Sequence, residues 1–316
     1  MTGVLLSSGD LAADRRAAFA ESMAHLGDLP AAVEILQQAL ALAPNWHAGW
    51  FRMGEYLKAA GALDEAAEAW GRAIEADPSD PLGASINRDL IRPQPISESM
   101  PSAFVEMLFD QYAPRFETSL CDKLEYRGPE LLLEAMQASG LTQVARALDL
   151  GCGTGLMGAL LRPYVDHLEG CDISQGMLSE AAAKGDYDTL EKRDIATMER
   201  TPDAWDLIVA ADVFIYLGAL EQVIGWCVDA LRPGGMLAFT IELGDAPVRL
   251  RETRRFAHSL SYIEGLLADA GFGSVSLSKA VLRKDRGADV HSLIVTARRA
   301  SLPLERSGDE EMALAG

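Results

Sequence analysis

One short segment constrains this chain more than any other: Asp149-Leu150-Gly151-Cys152-Gly153-Thr154-Gly155, which closes the apolar run ARAL and opens the helical stretch MGALLRPY. Glycines let a backbone pass close to a ligand and leave amide groups exposed at a helix N-terminus. The spacing is GxGxG with an acid two residues before the first glycine, which differs from the GxGxxG dinucleotide fingerprint. Asp172 follows Gly155 by seventeen residues, at the end of the short apolar stretch HLEGCDIS. An acid there can accept two hydrogen bonds from a ribose diol. A further carboxylate, Asp194, stands in EKRDIATM, where a short third strand is expected to end.

The surrounding pattern predicts an α/β fold. Apolar strands at ARALDL, HLEGCD, WDLIVA and GGMLAFTIEL alternate with helical stretches such as GMLSEAAAKG. Strand–helix alternation implies a doubly wound parallel sheet, with ligands at the carboxyl ends of the strands. The last two runs, SVSLSKAVLRK and DVHSLIVTARR, are joined only by Asp285–Ala288. That is too short for a crossover helix, so they are expected to form an antiparallel hairpin.

The first eighty residues repeat themselves. Gly27 and Gly61, Ala32 and Ala66, Leu36 and Trp70, Ala39 and Ala73, and Pro44 and Pro78 each stand 34 apart. Two antiparallel helices pack closely where small residues meet, and glycine lets the chain reverse. The spacing resembles the tetratricopeptide repeat, whose period is about 34. The copies span about 13–46 and 47–80. The second also carries Trp50 and Gly54, where the first has Arg16 and Ala20. Two copies need a cap, and Pro81–Ile91 is expected to supply it. Residues 1–91 are read as this helical domain. The run RPQPISESMPS marks 92–103 as a linker, with 104–300 as the second domain and 301–316 as a tail. The repeats imply a groove for a protein partner, a self-association element or a structural appendage.

Composition narrows the partners. The chain of 316 residues holds 47 acidic and 28 basic side chains, a net charge of −19. Such a surface repels polyphosphate, so nucleic acid is not expected as the main partner. No apolar run approaches the length of a membrane span. The start lacks a basic stretch ahead of its short apolar run, so a signal peptide is not expected and the location is read as cytoplasmic. Cys121, Cys152, Cys171 and Cys227 form no CxxC pair and have no companion His at zinc spacing, so no metal site is expected.

Taken together, LDLGCGTGL, CDIS, RDIA and LRPGG resemble the ordered motifs of class I S-adenosylmethionine-dependent methyltransferases over Phe104–Arg299. With the repeats, the chain is similar to a bacterial group of such proteins bearing N-terminal tetratricopeptide repeats. The resemblance implies a seven-stranded sheet of order 3-2-1-4-5-7-6 and S-adenosylmethionine as cofactor. On that reading Asp172 binds the ribose, while Ile173 and Met177 wall the adenine. Asp194 takes the adenine amino group, with the Ile195 amide beside it. Gly151, Cys152, Gly153 and Gly155 pass under the methionine and ribose, and Asp149 orders the loop or approaches the ammonium. Ala211 joins the cofactor set. The segment FVEMLFDQYAPRFE, with Glu117 where the related pattern has Asp, brings Tyr112, Tyr126 and Arg127 toward the methionine end.

The acceptor side is less defined. Asp212 and Tyr216 follow the fourth strand, where they can contact cofactor or acceptor, or simply order the loop. The NPPY pattern linked to amide and base nitrogens is absent. His25, His47, His167 and His291 carry no functional expectation. His258, in RRFAHSLSY, is expected to face the acceptor, since histidine is readily poised for proton transfer near neutral pH. Arg254 and Arg255 beside it are surface charges or partners for an acidic acceptor. The expected function is methyl transfer to a small molecule; the alternatives are a protein methyltransferase that recruits its polypeptide through the repeats, and a non-catalytic interaction module.

Overall fold

The computed structural model describes residues 7–91, 99–118, 120, 124–285 and 287–301. Most of the expected linker, the tail and Cys121 lie outside the described residues.

The 34-residue periodicity folds into two helical hairpins, α1 (Leu11–His25) with α2 (Leu29–Leu42) and α3 (His47–Ala59) with α4 (Leu63–Ala76). Gly27 and Gly61 turn the two hairpins with the same φ of +84°. Ala32, Leu36 and Ala39 are buried in the first hairpin, as Ala66, Trp70 and Ala73 are in the second. Gly54 of α3 lies where a Cβ would come within 2.4 Å of the Trp70 indole nitrogen. The indole fills that gap and donates to the Phe51 carbonyl at 3.2 Å. The cap forms as α5 (Ala84–Ile91), started by Asp80, whose carboxylate accepts from the amides of Ala84 and Ser85. Ala84 joins the core around Trp70, whereas Ile86 packs with Met100, Phe104 and Phe256 of the following region. Helix α5 thus belongs to two cores. Helix α6 (Ser102–Tyr112) starts at Ser102, inside the segment expected to be linker.

The rest is one mixed sheet. Strands β1 (Val144–Leu150), β2 (Val165–Asp172), β3 (Thr189–Lys192), β4 (Trp205–Ala210) and β5 (Leu231–Leu243) run parallel in the order 3-2-1-4-5. The expectation of seven strands is corrected to nine. Two short strands, β6 (Val248–Leu250) and β7 (Phe256–His258), follow β5, and β7 pairs with its last residues. The final hairpin of β8 (Phe272–Asp285) and β9 (Ala288–Arg299) lies antiparallel against β5 through β9. Period-two alternation divides the strand side chains between two faces. Ala147, Leu207, Val209 and Ala238 meet α7 (Gly128–Ala138) and α8 (Leu156–Leu161) on one face. Leu148, Ile208, Leu237 and Phe239 meet α10 (Glu221–Ala230) and α11 (Leu260–Asp269) on the other. Because both faces are covered, the middles of the central strands are apolar, with charged residues kept toward their ends.

The close approach at Gly54 yields a test. Gly54→Val forces its branched side chain into the Trp70 indole, an overpacking that should cost about 1–3 kcal/mol of stability. Urea unfolding followed by tryptophan fluorescence measures it; an unchanged midpoint would show that the repeat packs more loosely than the structure indicates.

Candidate functional site

The carboxyl edge of the sheet carries one aspartate at the end of each of its first four strands. In spatial order these are Asp194 after β3, Asp172 on β2, Asp149 on β1 and Asp212 after β4. All four line a cavity of about 520 Å³. Its floor is the glycine loop, where Gly151, Gly153 and Gly155 have φ of +65°, +54° and +86°. A side chain is strained in all three conformations, which explains the GxGxG spacing. A Cβ on Gly151 would strike Val213 at 2.3 Å, whereas a Cβ on Gly153 would meet nothing within 4 Å. The loop is therefore tight beneath and open above.

Each carboxylate is fixed differently. Asp172 accepts from the Gly153 amide at 2.9 Å and the Ser174 amide at 2.8 Å, tying the loop to the start of α9 (Gln175–Lys184). Burial raises its pKa, and those amides work against the rise. Asp149 accepts from the Tyr187 hydroxyl at 2.6 Å, and its Oδ1 has no partner. Burial pushes its pKa up to about 7, opposed by the Tyr187 bond and aided by the charge of Asp172. The Tyr187 ring fits only because Gly158 and Gly170 lack a Cβ, which would come within 2.3 and 2.8 Å of it. Asp194 accepts from the Ala196 amide at 2.9 Å and from the Ser102 hydroxyl. Asp212 has a left-handed backbone, φ +59°, and pairs with Arg283, while its Oδ1 is left without a partner.

Helix α6 roofs the cavity. Its polar stripe repeats every four residues and grips the sheet edge. Ser102 bonds Asp194, Glu106 pairs with Lys192, and Asp110 accepts from the Ser174 hydroxyl at 2.6 Å and the Gly176 amide at 3.0 Å. Val105, Leu108, Phe109 and Tyr112 line the cavity beneath. Beyond α6, Glu117 bonds Thr154 of the glycine loop and Lys184 of α9.

The structure brings most of the sequence-derived residues together. Tyr112, Tyr126, Asp149, Gly151, Cys152, Gly153, Asp172, Ile173, Met177, Asp194, Ile195, Ala211, Asp212 and Tyr216 all line the cavity. Three do not. Gly155 sits beneath the lining at the N-terminus of α8, against the Tyr187 ring. Arg127 is exposed just before α7, its amide donating to the Leu282 carbonyl. His258 is a correction of more consequence. It belongs to β7 and is fully buried, with Nε2 bonded to the Gly218 carbonyl at 2.8 Å and its ring stacked on Tyr262. Burial lowers its pKa, and it does not reach the cavity. Its neighbour Arg255 does reach it, and pairs with Asp285 at 3.2 Å. Sequence reasoning missed Ser102, Tyr187, Glu242 and Arg283. Among the described residues no group of three His, Cys, Asp or Glu side chains could hold a metal ion, and no helix is long and apolar enough to cross a membrane.

Residues 148–237 match the methyltransferase domain family. Human methyltransferase-like protein 27 is 32% identical over 154 residues, covering 46% of this chain and 60% of that protein. Malonyl-[acyl-carrier protein] O-methyltransferase of Enterobacter lignolyticus is 28% identical over 151 residues, 48% and 58% of the two chains. The chain thus spans less than two thirds of each of these relatives. The N-methyltransferase NodS of Bradyrhizobium japonicum, solved with S-adenosyl-L-homocysteine, shares the fold with a TM-score of 0.51 at 20% identity, over 61% of this chain and 97% of that one.

The raised pKa of Asp149 sets a pH dependence. Its ordinary value is 3.8 and its folded value about 7, so the folded form holds an extra proton between the two. That contribution favours folding at low pH and is lost as pH rises toward neutrality. Relative to Asp149→Asn, the chain should therefore lose at least about 1 kcal/mol between roughly pH 4 and pH 7.5. Urea unfolding of both proteins across that range measures the difference; a constant difference would contradict the burial of this carboxyl.

Proposed function

We propose that the protein is a class I S-adenosylmethionine-dependent methyltransferase, an enzyme transferring the methyl group of that cofactor to a small-molecule acceptor, a reading supported by the match of residues 148–237 to the methyltransferase domain family. The row of four aspartates at the edge of the sheet carries the reading. The charges of Asp149 and Asp172 work against each other, and Asp149 keeps an unpartnered oxygen, Oδ1. A ligand bearing positive charge and hydroxyl donors suits that row, as S-adenosylmethionine does with its sulfonium, ammonium and ribose. The open space above Gly153 lets the ligand lie directly on the loop.

In this reading Asp172 accepts from the ribose hydroxyls. Ile173, Met177 and Ile195 enclose the adenine, and Asp194 accepts from its amino group. Asp149 lies toward the ammonium. S-adenosylmethionine supplies an activated methyl group, so the chain's own task is alignment and exclusion of water. Helix α6 excludes water by clamping its polar stripe to the edge of the sheet. Asp212 and Tyr216 face the remaining space, with Arg255 at its end, and there the acceptor binds. The helical hairpins are read as tetratricopeptide-like units that buttress α6 through Ile86 and Phe104.

The test is cofactor binding. Isothermal calorimetry with S-adenosyl-L-homocysteine should give a saturable one-to-one isotherm, and Asp172→Ala should weaken it by at least about tenfold, since charge-assisted hydrogen bonds are lost. Unaltered binding would remove Asp172 from the ribose site; absence of binding by the unsubstituted chain would remove the cofactor assignment.

A further inference from the structure

Among the described residues Arg283 is the largest charged side chain that is buried, with no exposed side-chain surface. One guanidinium nitrogen bonds Asp212 at the cavity and another bonds Glu242 near the end of β5. The other oxygen of Glu242 pairs with Arg251 at 3.1 Å, and Arg251 in turn donates to the Leu243 carbonyl at 2.6 Å. Burial works against the charge of Arg283, yet Asp212 and Glu242 hold its pKa above the ordinary value. Mutual attraction repays the burial of a charged pair only where the geometry is good and the remaining polar atoms are satisfied, and here Arg283 Nε is left without a partner.

The geometry serves Asp212. Its amide donates to the Thr240 hydroxyl at 2.8 Å, its Oδ2 is held by Arg283, and only Oδ1 stays unpartnered among the described residues. The other charged group at this end, Arg255, already pairs with Asp285. Around them stand Phe109, Phe116, Tyr126 and Tyr216; the Phe109 ring meets Phe116 and Tyr216 edge-on at 6.1 and 5.4 Å.

We infer that Arg283 is a positioning residue that aims the free oxygen of Asp212 at the acceptor, and that the acceptor is an apolar molecule presenting an N–H or O–H donor, an amine or an alcohol, rather than a carboxylate. A carboxylate there would face the charge of Asp212 with no donor to offer, whereas an amine or hydroxyl satisfies the orphan oxygen. This rests on the methyltransferase reading and narrows its substrate class.

The experiment uses the full chain saturated with S-adenosyl-L-homocysteine, titrated with hexylamine, 1-hexanol and hexanoate and followed by ligand-detected NMR. Hexylamine or 1-hexanol should bind at least about fivefold more tightly than hexanoate, and which of the two binds better separates an amine acceptor from an alcohol. Asp212→Asn should abolish the preference. Arg283→Met leaves half-buried Asp212 without its partner and buried Glu242 with Arg251 alone, and can unfold the chain, so the double variant Arg283→Met/Glu242→Gln, which removes one charge of each sign, is the second arm. It should keep homocysteine-cofactor binding and lose the preference, and Arg283→Lys should restore part of it. Tighter binding of hexanoate, equal or no binding of all three, or a preference that survives Asp212→Asn overturns the inference. Failure of S-adenosyl-L-homocysteine to bind at all overturns the methyltransferase reading as well.

Discussion

The arrangement at the carboxyl edge of the sheet follows from placing four carboxylates side by side at the ends of β3, β2, β1 and β4. Parallel strands paired in register end together at one edge, so residues at their tips become neighbours whatever their distance in sequence. Like charges so placed must be held by donors or give up ionisation. The chain supplies a different donor to each: backbone amides to Asp172, a tyrosine hydroxyl to Asp149, a serine hydroxyl and an amide to Asp194, and a guanidinium to Asp212. The glycine loop, the ring niche made by Gly158 and Gly170, the start of α6 and the buried arginine on β8 are all parts of that one solution.

The same arrangement explains which parts of the site could be read from sequence. Asp149, the glycines and Asp172 sit within one strand–loop–helix–strand unit, so their spacing is local and their chemistry follows from it. The N-terminal hairpins were legible for a similar reason, because a 34-residue period repeats identical packing demands. The roof helix was half legible: Ser102, Glu106 and Asp110 are spaced by four, yet their partners lie on β3 and α9, and nothing near them in the chain reveals that.

Arg283 and His258 were illegible for physical reasons. Strict alternation along β8 puts residue 283 on the same face as exposed Val281. The register of β8 against β9 slips between Val281 and Arg283, so Leu282 and Arg283 are both buried in succession. Such an irregularity re-aims a side chain, and an isolated sequence does not show where it falls. For His258, the segment after β5 reads as a loop over the acceptor. It instead forms two short strands, and pairing of β7 with β5 turns the imidazole toward Gly218. Arg255, just before that strand, faces the cavity in its place.

Helix α5 gives the architecture a mechanical property. Phe104 of the roof is lodged against Ile86 and lies so near Gly83 that a Cβ there would approach within 2.9 Å of its ring. Ala84, one turn of the same short helix, is sealed into the indole core of the second hairpin. The roof is consequently not a free flap. Separating α6 from α5 would strip Phe104 from an apolar niche, and separating α5 from the second hairpin would strip Ala84 from another. Through that one contact the roof and the N-terminal hairpins share a single packed seam.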